Sequence, residues 1–217
     1  ALDTLNCSGG NQITSLDVSN NLALNALGCS DNLITSLDVN LNTALTILDC
    51  ANNQIQSLDV SNNTALVRLF CAENQLTSLD VSQNTAFYLL SCAVNQLTSL
   101  DVSNNLALTH LECGGNLIEC LDVSNNTALI YLTCNNNLLT QLNTKNSNWQ
   151  NLDIDATNNN LTCVEVDNLG YANTNWATTF DSFVTFSTNC NYTNPCATVS
   201  AIQEHTTNKE LLKVTDL

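Results

Sequence analysis

Apolar residues recur at fixed intervals along most of the chain. In residues 45–65, "LTILDCANNQIQSLDVSNNTA", the apolar positions Leu45, Leu48, Cys50, Ile55, Leu58 and Val60 are separated by mostly polar letters. Leu48 and Cys50 alternate with period two, so both point inward while Ile47 and Asp49 point outward, which predicts a short strand. The line then repeats. Cysteines stand at 7, 29, 50, 71, 92, 113 and 134, one step of 22 residues followed by steps of 21, and an extra Gly within residues 8–11 absorbs the longer step. Self-similarity at a period of about 20–29 residues is the mark of a solenoid. One coil cannot cover its own apolar face, so coils must stack. Each side chain buried in this way contributes roughly 1.5–3 kcal/mol.

The fixed letters, L-x-x-L-x-C-x-x-N-x-L-x-x-L-D-V-S, resemble the leucine-rich repeat, with Cys in place of its third leucine, over roughly residues 2–166. The resemblance implies an α/β-class solenoid, mostly strand and coil. It is expected to be right-handed and curved, with a parallel β-sheet on the concave face and irregular turns or short 3₁₀ pieces on the convex one. About eight coils are expected. The eighth is worn: Trp149, Leu152 and Ile154 stand for Leu129, Leu132 and Cys134, and two extra residues precede Cys163, Val164 and Val166. Three segments follow: a solenoid at 1–166, a cap at 167–196, and a linker with a sorting-type segment at 197–217. In the cap, Trp176, Phe180, Phe183, Val184 and Phe186 supply apolar surface to close the open end of the stack.

The closing stretch "NKELLKVTDL" resembles the opening of the C-terminal sorting domain of type IX secreted proteins in Bacteroidetes. The Cys-bearing repeat itself looks like the type found in secreted proteins of those bacteria. Together they imply a secreted or cell-surface protein. The chain opens inside a repeat, so a trimmed or processed chain is expected.

Several columns are accounted for by structure. Asn32, Asn53, Asn74, Asn95, Asn116 and Asn137 each follow a Cys by three, where an amide can satisfy backbone groups that the turn leaves unpaired. The seven repeat cysteines face inward and pack as small hydrophobes. On coils about 4.8 Å apart their side chains run parallel, which is poor disulfide geometry. No C-x-x-C pair occurs, which argues against zinc. Cys120 and Cys163 take the place held elsewhere by Ser57, Ser78 and Ser99. A Cys163–Cys190 disulfide is expected to tie the closing segment to the last coil, with Cys190–Cys196 as the alternative and the partner of Cys120 left open. Either bond implies an oxidising compartment. Asp17, Asp38, Asp59, Asp80, Asp101 and Asp122 could line up calcium ligands, but without a dense Asp-Gly pattern they are expected to cap turn N–H groups.

Charge narrows the partners. A net charge of −16, from 20 acids against 4 bases, argues against nucleic acid and anionic membranes and favours a solvated acidic surface. No apolar run reaches the roughly 18 residues of a membrane span. Nothing in the pattern calls for a cofactor.

Function is expected where the letters stop repeating. The outward strand positions are Thr4 and Asn6, Ala26 and Gly28, Ile47 and Asp49, Arg68 and Phe70, Leu89 and Ser91, His110 and Glu112, and Tyr131 and Thr133. Asn151 and Asp153 are expected to complete the series. Arg68 is the sole Arg of the chain and His110 is one of two His. With Asp49, Phe70, Tyr88, Glu112, Ile130 and Tyr131 they make a candidate ligand patch rich in the residue types of interface hot spots. The expected ligand is an extracellular protein or a glycan, bound by a monomer without catalysis. A structural spacer in a longer protein is the rival reading. His110 and Glu112 could form an acid–base pair. Asp49 and Glu112, however, lie about 14 Å apart by stacking, against about 5–5.5 Å for a retaining glycosidase.

Overall fold

Twelve three-residue strands and one short helix form the regular structure of the computed structural model, which describes residues 2–192 and 196. The expected linker and sorting-type segment, 197–217, lies outside the described residues. Six strands come first: β1 (Thr4–Asn6), β2 (Ala26–Gly28), β3 (Ile47–Asp49), β4 (Arg68–Phe70), β5 (Leu89–Ser91) and β6 (His110–Glu112). Next come β7 (Cys120–Asp122), β8 (Tyr131–Thr133), β9 (Gln141–Asn143), β10 (Asp153–Asp155) and β11 (Cys163–Glu165). Helix α1 (Leu169–Asn175) and β12 (Thr185–Ser187) close the series.

Strands β1 to β6, β8 and β10 form one parallel sheet in chain order. Equal coil length keeps the register, so Leu27, Leu48, Leu69, Leu90, Leu111 and Leu132 stand opposite one another in a single interior row. Cys29, Cys50, Cys71, Cys92, Cys113 and Cys134 make the next row, each with no exposed surface. Leu45, Ile55, Leu58 and Val60 complete their layer, as the letters predict. Cys7 stays half-buried, in the coil at one end of the described stack.

The two polar columns read from the sequence act through the backbone. The Asn53 amide donates to the carbonyls of Cys29, Cys50 and Ala51 and accepts from the Ile34 N–H at 3.0 Å, so it joins two coils. The residue before it always has positive φ: Asn52 at 51°, Glu73 at 55°, Val94 at 55°, Asn136 at 54°. Each column aspartate accepts the N–H two residues on, as Asp59 does from Ser61 at 2.9 Å and Asp122 from Ser124 at 2.8 Å. The Ser61 side chain and N–H together hold the Asp59 carboxyl below the usual range, and Ser19 does the same for Asp17.

A second asparagine column carries no signal in the hydrophobic pattern. Asn42, Asn63, Asn84, Asn105 and Asn126 are completely buried. The Asn84 amide donates to Val60 O at 3.0 Å and Asn63 O at 2.9 Å, and its Oδ1 accepts no hydrogen bond. Both N–H groups face carbonyls of the preceding coil, so the position requires a donor; an aspartate there would set its charge against two carbonyl oxygens.

The structure corrects the expected plan in four places. First, the side expected to hold irregular turns or 3₁₀ pieces forms a second parallel sheet at one end of the molecule, in the order β12-β11-β9-β7. Second, β12 adds a further winding, so the solenoid has about nine turns rather than eight. Third, the worn coil is registered differently. Ile154 stands opposite Leu132, not in the place of Cys134, and buried Ala156 fills the cysteine row. Asn159, three residues later, repeats the ladder bonds, to Cys134 O and Ala156 O. The outward pair of that coil is therefore Asp153 and Asp155, not Asn151 and Asp153. Fourth, Phe183 is 61% exposed and takes no part in the lid, whereas Trp176 and Phe180 are buried in a cluster with Phe186.

A strap fastens the end. Cys163 is bonded to Cys190, with Cα atoms 5.9 Å apart, and Cys120 to Cys196, at 5.5 Å. Between these ties the Tyr192 hydroxyl enters the ladder, where β9 and β11 are in register only at Asn143 and Glu165. It accepts from Leu142 N at 3.2 Å and donates to Cys163 O at 2.8 Å, relaying a bond the two strands do not make directly. Burial pushes its phenol up from the ordinary value.

Candidate functional site

The outer face of the eight-stranded sheet carries two rows of side chains, because alternate strand residues leave the core. Along one row Arg68 stands opposite Leu89, Leu89 opposite His110, and His110 opposite Tyr131. Along the other, Asp49, Phe70, Ser91, Glu112, Thr133 and Asp155 follow one another. Tyr88 and Ile130 lie one residue ahead of their strands and flank the first row.

Two contacts bind the first row into a patch. The Arg68 guanidinium sits over the Tyr88 ring, 5.1 Å from its centroid, a cation–π geometry that orders both side chains. The rings of His110 and Tyr131 lie 5.9 Å apart at 37°. His110 Nδ1 also lies 2.8 Å from Thr109 Oγ1, which limits rotation of the imidazole. Arg68 is exposed, Tyr88 and Tyr131 are half-buried, and Ile130 is 40% exposed.

The acids of the second row are held by hydroxyl and backbone donors. Ser91 Oγ, itself buried, donates to Glu112 Oε2 at 2.7 Å. Ser30 Oγ donates to Asp49 Oδ2 at 3.2 Å, and Ala51 N–H to Asp49 Oδ1 at 3.2 Å. Asp155 Oδ1 accepts from Thr157 N–H at 3.1 Å and from its hydroxyl at 2.7 Å. Three coil steps separate Asp49 from Glu112 in this row, which at about 4.8 Å per step is too far for a catalytic carboxylate pair.

All eight residues singled out in the sequence thus lie on or beside this face. Arg68 meets Tyr88, and His110 meets Tyr131; Phe70 stands in register between Asp49 and Ser91. Asp155 belongs to the same row and was missed, because with Ala156 in place of a cysteine the coil was read out of register. The supporting hydroxyls of Ser30 and Ser91 were missed as well, since contacts between coils become visible only once the register is known. Elsewhere a cleft of about 500 Å³ opens between the four-stranded sheet and the strap, lined by groups such as Asp122, Asn143, Glu165 and Tyr192. Much of that lining is already engaged: Glu165 accepts from Cys190 N–H, and Asp122 from Asn143 and Ser124.

Comparison with known proteins points to one fold. No protein-family model matches the chain, and no curated protein matches it in sequence. Among solved structures, the functional domain of InlJ from Listeria monocytogenes, which includes a cysteine ladder, is 31% identical with a TM-score of 0.66. That match covers 84% of this chain and 43% of the InlJ domain. Internalin C2 of Listeria monocytogenes is 20% identical with a TM-score of 0.67, covering 85% of this chain and 80% of its own. A leucine-rich repeat protein of Leptospira interrogans is 22% identical with a TM-score of 0.63, covering 78% of this chain and 50% of its own. The chain therefore spans half or less of the length of the InlJ domain and the Leptospira protein. Its fold is that of a leucine-rich repeat solenoid with a cysteine ladder.

Proposed function

We propose that the chain is a non-catalytic recognition module that binds an extracellular protein through the outer face of its eight-stranded sheet. The observation that carries this reading is the ordered patch from Arg68 to Tyr131. Arg and aromatic side chains dominate interface hot spots, and here two contacts between coils hold them before any partner arrives. A pre-ordered face loses less side-chain entropy on binding than a mobile one. The face lies open along neighbouring coils, a shape that suits a protein surface better than a small substrate. The similarity to InlJ and the internalins supports a protein-interaction role of this kind. Two disulfides fit an oxidising compartment, which supports secretion or display on the cell surface. Among the described residues no helix is long and apolar enough to cross a membrane.

The test is an array of purified ectodomains, with a glycan array beside it, probed with the intact chain and with the Arg68→Ala, Phe70→Ala, Tyr131→Ala triple variant. Specific ectodomain signals that fall at least about tenfold in the triple variant are expected, since each hot-spot truncation costs about 2 kcal/mol or more. The variant should melt at the temperature of the parent. Signals confined to the glycan array would move the reading to carbohydrate. Binding that ignores the triple substitution, or no binding at all, would leave the spacer reading.

A further inference from the structure

We infer that the partner presents a basic segment, in which a Lys or Arg engages the Glu112 carboxylate while a neighbouring apolar or aromatic side chain packs on His110 and Tyr131. This rests on the reading of the sheet face as a protein-binding surface. The acids of the second row, Asp49, Glu112 and Asp155, occur without a base among them. Of the chain's four bases, Arg68 is stacked on Tyr88 and Lys145 donates to Thr188 O on the strap, while Lys209 and Lys213 lie outside the described residues. The donors that hold these carboxylates are hydroxyls and N–H groups, which orient an acid without neutralising it.

Glu112 is the best placed of the three. Ser91 takes one carboxylate oxygen, which fixes the group and leaves Oε1 to accept from a second donor. It shares β6 with His110, and His110 stacks near Tyr131, so charge and aromatic surface sit side by side. A fixed carboxylate with an aromatic neighbour suits a guanidinium or ammonium group carried next to an apolar residue. The net charge of −16 draws such a segment from a distance, and salt weakens that attraction.

A random peptide library displayed on phage, selected against the immobilised full chain, tests the inference. Selected peptides are then made free and measured against the parent, Glu112→Gln, and the Arg68→Ala, Phe70→Ala, Tyr131→Ala variant. The glutamine keeps an acceptor for Ser91, so the coil stays intact. The expected result is enrichment of Lys or Arg beside aromatic residues, binding weakened about ten- to a hundredfold by Glu112→Gln, and further weakening in high salt. Peptides that lose binding to the triple variant yet are not basic, or that ignore Glu112→Gln, would overturn the basic-segment inference and leave the face as the binding surface. Peptides indifferent to every variant, or no selected peptide, would overturn both.

Discussion

Six thiols stacked in a dry interior behave differently from six thiols on a surface. Burial pushes Cys29 and Cys92 up to about 12 and raises Cys50, Cys71, Cys113 and Cys134 as well, so at neutral pH each is a protonated, unreactive filler. An alkylating reagent applied to the folded protein should therefore modify Cys7 first, and the other six only after denaturation; mass spectrometry of native and unfolded samples checks this. Because the folded thiols titrate above the unfolded ones, their contribution to stability is intact below about pH 8.5 and is lost as pH rises toward 12. Denaturant melts across that range should show the decline; a flat profile would contradict it. The cysteine column was legible because it is apolar and periodic. The Asn84 column was not, because a buried amide and a loop amide are written with the same letter, and only the carbonyls it meets tell them apart.

At the level of elements, strands were read from period-two alternation, and turns from the Asn that follows each Cys. The turn hides a conflict. Val94 adopts φ of 55°, a left-handed conformation that β-branched residues rarely tolerate, at a place where Asn52, Asn136 and Asn158 stand in other coils. Its side chain is 56% exposed, so little packing compensates. Val94→Asn should raise stability by about 1 kcal/mol, seen as a higher urea midpoint at unchanged slope. A lower midpoint would mean that contact with Gly115 outweighs the strain. The second sheet was less legible. Ser57, Leu58 and Asp59 carry much the same letters as Cys120, Leu121 and Asp122, yet only the latter pair as a strand. Pairing there depends on neighbouring coils and the strap, which no single window contains.

For the whole molecule, the period alone specified the stacking, and stacking fixed which letters could face a partner. What the period could not supply was where the chain is fastened. Cys196 is tied to Cys120, 76 residues earlier, so the strap is fastened to the sixth coil rather than to the last. Tension drawn through residues beyond 196 would enter the stack at that coil, leaving the strap, helix and final windings outside the load path. In single-molecule stretching of the intact chain, reductant should lengthen the fully extended molecule by about 260 Å, the reach of those 76 residues. A gain of only about 90 Å, the reach of the 27 residues between Cys163 and Cys190, would show that the tie to Cys120 is not formed. With the tie closed, the terminal windings can stay folded while the rest is pulled apart.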